Sequence, residues 1–399
     1  MRCDSCGPTP TPHGVEWFVN IITDALDVLD RIGFRLRVIL GAPGRRIIIF
    51  LRDGFLRIGA LLHAVQWEEV TPSHALASRM RFVVERVRAM GYTVQRLRFL
   101  GSRTHVFRAS GSERCVRYWE ILPRGRTRIR ECIIDDKALV KRVLERAGIP
   151  VPVWRLVRTV RRACGAAREV GYPVVVKPRS GSLSRHTVVG VCDDAALVAA
   201  VRSARMLDWK VLIEEQLMGD VYRATVVDGA CVAICRRVPP NVTGDGQQTI
   251  SALIVARNAD PRRGVPGDAQ STLHQFPTDA ITASVLGAHG RTLASIPAAG
   301  ERVLLHEKVT LGYGCDIEDV TDDAHPETRA LFERIARVLG ADLVGIDFIA
   351  SDIRCSWRAQ RCGVIECNSL PSIDMHHFPT QGPSRDVAGA LVRVLLLGR

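Results

Sequence analysis

In the stretch Val364-Ile365-Glu366-Cys367-Asn368, a carboxylate and an amide stand two residues apart and so share one face of a strand. A buried sheet face does not normally carry such a pair. Hard oxygen ligands around a partly hydrated Mg²⁺ that also holds phosphates account for it, and Asp347 in Gly345-Ile346-Asp347-Phe348 is the candidate third ligand from a neighbouring strand. The plainer reading is a polar strand edge. Upstream, the apolar run Val174-Val175-Val176 ends in Lys177, followed by the small, polar loop from Arg179 to His186. A point charge beside backbone donors suits phosphate. A second apolar run, Val211-Leu212-Ile213, ends in Glu214-Glu215-Gln216-Leu217, which suits a hinge that reads a base.

Lysine is scarce: only Lys137, Lys141, Lys177, Lys210 and Lys308 occur, so arginine supplies nearly all the positive charge. Each lysine therefore merits inspection, although compositional bias explains the scarcity equally well. Asp135 and Asp136 open a predicted helix with Leu139, Val140, Val143 and Leu144 on one face, ended by Gly148-Ile149-Pro150-Val151-Pro152. Lys137 then sits in the first turn, where the helix N-terminus adds its own positive field toward an anion.

The order of these parts resembles the ATP-grasp superfamily of carboxylate-amine ligases. The stretch Arg237-Val238-Pro239-Pro240-Asn241-Val242-Thr243-Gly244-Asp245-Gly246, with Asn258 to Gly264 after it, is similar to the ATP-grasp part of cyanophycin synthetases and to the related domain of bifunctional glutathione synthetases. The resemblance runs from about Asp135 to the C-terminus and rests on the motifs jointly. It implies ATP with Mg²⁺, or Mn²⁺, as cofactors. Lys137, Lys177, Ser180, Gly181, Ser182, Glu214, Glu215, Gln216, Leu217 and Asp220 would contact the nucleotide. Asp347, Glu366 and Asn368 would hold the metal, and Arg223 and Arg237 would stabilise acylphosphate and carboxylate oxygens.

Three departures stand out. The lid loop has one glycine, with Leu183 and His186 stiffening it. The position the family gives to a ribose-binding acid is Val221, with Asp220 one place early. The stretch from Leu305 to Gly314 replaces an Asn-rich, Thr-Gly-Gly-ending loop that faces the acceptor, so a different acceptor is expected.

The elements that must position these residues give an α/β class built of α+β subdomains: an ATP-grasp fold behind an N-terminal α/β, pre-ATP-grasp-like lobe. Residues 1–75 carry no readable motif, 76–134 form the lobe, and 135–399 the ATP-grasp domain, with a lid near 153–217 and a C-terminal subdomain near 218–399. Helical spacing of Leu76, Met80, Val83, Val84, Val87 and Met90 precedes an alternating strand from Tyr92 to Leu100. Residues 153–217 read as strand, helix, strand, loop, strand, helix, strand. Asp228-Gly229 predicts a hairpin turn, with Arg223, Thr225 and Val227 on one strand face. A helix is predicted over 326–339, and a strand bearing Asp347 over 341–350.

With 399 residues, 47% of them hydrophobic, the chain has ample material for buried cores. Its formal charge of +13 comes from dispersed arginines with short clusters such as Arg124 to Arg130, and reads as solvated surface more than a nucleic-acid footprint. Twelve irregularly spaced cysteines do not make a secreted disulfide scaffold, so a cytoplasmic protein with reduced thiols is expected. Cys3 and Cys6 lack a nearby second pair for zinc. Arginines interrupt every apolar run short of the ~20 residues a membrane span needs.

The expected activity is ATP-dependent formation of an amide or peptide bond between a carboxylate and an amine, an amino acid in the first instance, through an acylphosphate. The chain stops at Arg399, without the second, Mur-ligase-like domain of cyanophycin synthetases, so a stand-alone ligase is expected. Its partners would be small-molecule or peptide substrates, with no specific nucleic acid and no membrane span, in a homo-oligomer. The alternative is a degenerate ATP-grasp protein that binds nucleotide or a partner without ligase activity.

Overall fold

In the computed structural model the described residues are 65–71, 76–99, 102–112, 115–123, 134–181, 183–266, 268 and 270–397, with His13, Gly14 and Trp17. Ser182, the Cys3–Cys6 pair, the cluster from Arg124 to Arg130 and nearly all of residues 1–64 lie outside them.

Alternating apolar residues in the first described segment build an antiparallel meander: β1 (Val65–Glu69), β2 (Thr93–Phe99), β3 (Ser102–Ser110), β4 (Cys115–Trp119) and β5 (Leu122–Pro123). Between β1 and β2, helix α1 (Ser78–Ala89) turns Met80, Val83, Val84 and Val87 inward, the periodicity read from the sequence. Helix α2 (Lys137–Arg146) follows, started by Asp136, whose carboxylate accepts from the amides of Ala138 and Leu139.

The next sheet has the expected element run. It comprises β6 (Trp154–Val157), α3 (Val160–Val170), β7 (Val174–Pro178), β8 (Val188–Val191), α4 (Asp194–Ala204) and β9 (Val211–Glu215), with strand order β6-β9-β7-β8. Alanines of α3 and α4 pack on valines of β7 to make its own small core.

The central sheet starts with the hairpin β10 (Asp220–Val227) and β11 (Ala230–Val238). Asp228 and Gly229 both take positive φ, 49° and 81°, as a two-residue turn of that hand requires. An excursion follows: β12 (Asn241–Thr243), α5 (Ile250–Asn258), β13 (Arg263–Gly264), β14 (Leu273–His274), α6 (Ala280–Ala288) and β15 (Arg302–Leu304). It holds a separate core around Val242, Ile254, Phe276 and Val303. The chain then returns through β16 (Asp316–Asp319), α7 (Pro326–Leu339), β17 (Leu343–Ala350), β18 (Gly363–Asn368) and α8 (Val387–Leu397), completing a sheet of order β16-β11-β10-β17-β18.

The two faces of β10 have different fates. Tyr222, Ala224 and Val226 join the core under α7, whereas Val227 joins a core shared with α1, α8 and the N-terminal meander. The meander is thus packed into the central sheet, and buried Ser78 at the start of α1 donates to Asp374. No helix among the described residues is long and apolar enough to cross a membrane.

Candidate active site

Because α2 starts at Lys137, Lys141 lies one turn further along the same face, and both side chains are buried. The Lys137 ammonium donates to the carbonyl of Gly181 in the lid loop at 2.5 Å and lies 3.2 Å from Oε1 of Glu366. Lys141 donates to the carbonyl of Val364 at 3.3 Å and lies 3.4 Å from Oε2 of Glu214. Lys177, at the end of β7, donates to the carbonyl of Ile365 at 3.1 Å and lies 2.9 Å from the same Oε2.

A bulge explains why three lysines converge there. Asp347 faces Glu366 and Phe348 faces Val364, so Ile365 is the extra residue of β18. Two lysines take the carbonyls of Val364 and Ile365 at the point where the ladder is interrupted. Burial alone would raise the Glu214 carboxyl, but the charges of Lys141 and then Lys177 outweigh it and hold it below the usual range. The Lys141 ammonium is pushed down to about 8, chiefly by burial, against the pull of Glu214. Glu214 Oε1 remains buried without a partner.

Across the central sheet, Arg223, Asp347 and Glu366 stand in one row on β10, β17 and β18. Two like charges directly opposite repel, so the row needs cations. Arg223 grips Asp347 with two prongs, Nε to Oδ1 at 2.5 Å and the second to Oδ2 at 3.0 Å. Arg237 of β11 reaches the same Oδ1 at 2.7 Å and donates to the carbonyl of Val309 at 3.3 Å. Burial raises the Asp347 carboxyl, yet Arg223 and then Arg237 overcome that and hold it well below the ordinary carboxylate range. Gly345 leaves room for this guanidinium: a Cβ there would stand 3.0 Å from an Arg223 nitrogen and 2.7 Å from Pro371.

Glu366 and Asn368 share a face as the alternation predicted, and the Asn368 side-chain nitrogen is buried with no partner. Since amide O and N are assigned from their neighbours, an orphaned amide nitrogen is also a place where a flipped oxygen can meet a cation. Glu366, Asn368 and the less engaged oxygen of Asp347 therefore fit a hard divalent ion, although no cluster of three His, Cys, Asp or Glu occurs among the described residues.

The hinge differs in detail from its sequence reading. Glu214 turns toward the lysines. Glu215 accepts from the Val153 amide at 3.0 Å and from Arg361, and Gln216 accepts from the Gly190 amide at 2.6 Å. Their side chains are thus engaged by the protein itself. Leu217 is buried, and Asp220 opens β10 paired with Arg236 at 3.0 Å.

In the lid loop the Ser180 amide donates to Asp208, and buried Arg179 bridges Asp208 and Asp136, tying the loop to the start of α2. Leu183, Ser184 and His186 adopt φ of 60°, 53° and 52°, left-handed conformations usually left to glycine. Lys308 donates to the carbonyl of Ser184 at 3.3 Å, so the stretch from Leu305 to Gly314 reaches both the lid and Arg237.

Compared with known proteins, residues 134–206 match the ATP-grasp domain family. The cyanophycin synthetase of Trichormus variabilis is 34% identical over 261 residues, which are 65% of this chain and 29% of that protein. The glutathione biosynthesis bifunctional protein of Mannheimia succiniciproducens is 33% identical over 264 residues, 63% of this chain and 34% of that one. The crystal structure of a bifunctional glutathione synthetase from Pasteurella multocida superposes with a TM-score of 0.57 at 27% identity, covering 74% of this chain and 41% of that one. The chain carries an ATP-grasp domain. It spans about a third of the length of the curated relatives it matches.

The matched segment of the ATP-grasp domain contains Lys137, Lys141, Lys177 and the lid loop, but not Asp347, Glu366 or Asn368. Sequence reading gave Lys141 no role, although its spacing of four from Lys137 on a helix was the available signal. The shared engagement of Asp347 by Arg223 and Arg237 had no such signal, since it depends on strand register.

Proposed function

We propose that this ATP-grasp domain uses Mg-ATP to activate a carboxylate as an acylphosphate and passes the acyl group to an amine, giving an amide. The observation that carries this reading is a charge imbalance. Lys137, Lys141, Lys177, Arg223 and Arg237 meet Glu214, Asp347 and Glu366, with Asp135 beside Lys137 and Glu366, so five positive groups face four negative ones in a largely buried cluster. An excess of positive charge there suits anions, and phosphate with a carboxylate fits it.

In the first step a carboxylate oxygen attacks the terminal phosphorus and ADP departs with the bonding pair. Lys137 and Lys177 hold the phosphates in line, and the lid loop excludes water. In the second, the amine nitrogen attacks the acyl carbon, phosphate leaves with the C–O pair, and the nitrogen passes a proton to the departing phosphate. Arg223 and Arg237 steady the oxygens as charge shifts onto them. Glu366, Asn368 and Asp347 would hold Mg²⁺, which when bound shields phosphate charge. The substrates we expect are an amino acid with a peptide or small carboxylate, and a homo-oligomer remains our expectation.

Millimolar Mg-ATP should raise the thermal midpoint of the full chain, because a ligand at about 100 times its Kd stabilises the folded form by about 2.7 kcal/mol. No shift would remove the nucleotide site from the reading. A shift without ADP release across paired carboxylates and amino acids would instead favour a nucleotide-binding protein that has lost ligation.

A further inference from the structure

The lid loop ends in a histidine that meets a second one from far away in the chain. His186 is 1% exposed, and its Nε2 lies 3.2 Å from the Nε2 of His13, 173 positions earlier. The rings meet edge-on, at 81° with their centroids 4.8 Å apart. The Nδ1 of His186 pairs with the Ser203 hydroxyl of α4 at 2.9 Å, which fixes the orientation of the imidazole. Its backbone holds a left-handed φ of 52°, a strained conformation of the kind that collects at ligand sites.

Two neutral imidazoles can share one N–H across such a gap, but a metal accounts for more of what is seen. Zn–N bonds of about 2.0–2.1 Å at a tetrahedral angle set two imidazole nitrogens ~3.3 Å apart. A metal-bound imidazole has its other nitrogen held by a hydrogen bond, as Ser203 holds that of His186. A second observation lies in the sequence. Cys3 and Cys6, in the Cys-x-x-Cys spacing of zinc sites, stand ten and seven positions before His13. Seven residues can span up to ~24 Å, ample for a sulfur to reach the His13 imidazole. The half-site that lacks a second pair in its own stretch therefore gains one from the fold, with His13 as one member and His186 as the other.

We infer that Cys3, Cys6, His13 and His186 hold one Zn²⁺ that ties the N-terminal segment to the lid loop. Two thiolates and two neutral imidazoles leave the dication with no net charge, and four protein ligands leave no open position for a substrate. The metal is structural, and separate from the Mg²⁺ proposed at Glu366 and Asn368. It bears on the nucleotide through the loop, in which Gly181 accepts from Lys137 and Ser184, two residues before His186, accepts from Lys308.

The test uses the full chain without a polyhistidine tag, produced with zinc in the medium. Elemental analysis after dialysis against a weak chelator should find about one zinc per chain. Blocking the thiols with a mercurial should release it to a chromophoric chelator. Co²⁺ added to the stripped protein should give the intense visible bands of a tetrahedral site together with thiolate-to-metal charge transfer. The double variants His13→Ala/His186→Ala and Cys3→Ser/Cys6→Ser should each bind zinc about 100-fold or more weakly, since losing even an outer partner of a ligand costs about 10–100-fold. The Co²⁺ spectrum of the wild type decides the ligand set even where a variant unfolds. A wild type that takes up no zinc leaves the histidines as a hydrogen-bonded pair and overturns the inference. Unchanged zinc affinity in either variant overturns it too, as does a Co²⁺ spectrum without thiolate charge transfer.

Discussion

Lys177→Met should lose catalysis by about 100-fold or more, the usual cost of deleting one preorganised donor to developing charge. ADP release with a carboxylate and amine pair is the measurement. Lys210→Met serves as comparator, because Lys210 lies against the Trp209 ring at 4.8 Å and its ammonium is not among the three that meet at the bulge. Equal losses in the two variants would place the nucleotide elsewhere. No charge partner stands near Lys177 in the chain, but the fold supplies one: Glu214 lies 2.9 Å away and is 2% exposed. Removing Lys177 leaves that carboxylate to Lys141 alone, so stability should fall by about 1–3 kcal/mol, less than for a wholly orphaned buried charge. Adding Glu214→Gln together with Lys141→Met, which clears the buried charges that Lys177 leaves behind, should restore the thermal midpoint and leave turnover low. Turnover restored with stability would show Lys177 to be a structural residue only.

Asp347→Ala and Glu366→Ala should both abolish turnover and yet differ sharply in stability. Asp347 is buried and engaged by two arginines, and its loss leaves both guanidinium groups facing each other in the sheet, a destabilisation of about 3–5 kcal/mol. Glu366 is about a quarter exposed, and its partner Lys137 keeps the Gly181 carbonyl when the carboxylate is removed, so the loss should be smaller, about 1–3 kcal/mol. Denaturant unfolding checks the contrast. Near-equal losses of stability would mean that the Asp347 cluster is not the buried charge centre described above. The depressed Asp347 carboxyl adds a pH signature. Its folded value lies below its unfolded one, so its contribution is full above the ordinary Asp value of 3.8 and disappears as pH falls through the lower folded value. Asp347→Ala should flatten that acid limb.

Much of this arrangement was legible because it is local. Helical spacing placed α1 and α2, alternation put Glu366 and Asn368 on one face, and Asp228-Gly229 marked the hairpin. What escaped was register and long-range packing. The extra residue at Ile365 turns two carbonyls toward lysines, and nothing in Val364-Ile365-Glu366 shows that the partner strand skips a residue. Glu214 was read with the hinge because it precedes Glu215, but its direction is set by two lysines far away in the chain. The union of the N-terminal meander with the central sheet depends on contacts such as Ser78 with Asp374, nearly three hundred positions apart, beyond any local pattern.

Three left-handed residues in the lid loop also bear on the thermodynamics of closing. A glycine-rich loop samples many conformations when open and loses that freedom over a nucleotide. Leu183, Ser184 and His186 instead restrict the backbone before any ligand arrives, at a steric cost of about 1–2 kcal/mol for each residue. The loop has less disorder to lose, so its entropy of binding should be correspondingly less unfavourable. Leu183→Gly should relieve local strain, widen the open ensemble and make the calorimetric entropy of Mg-nucleotide binding more negative. An unchanged entropy would show that the loop is already equally ordered in both proteins. Rigidity acquired in advance, and not glycine's freedom, would then be what this lid brings to the moment of closure.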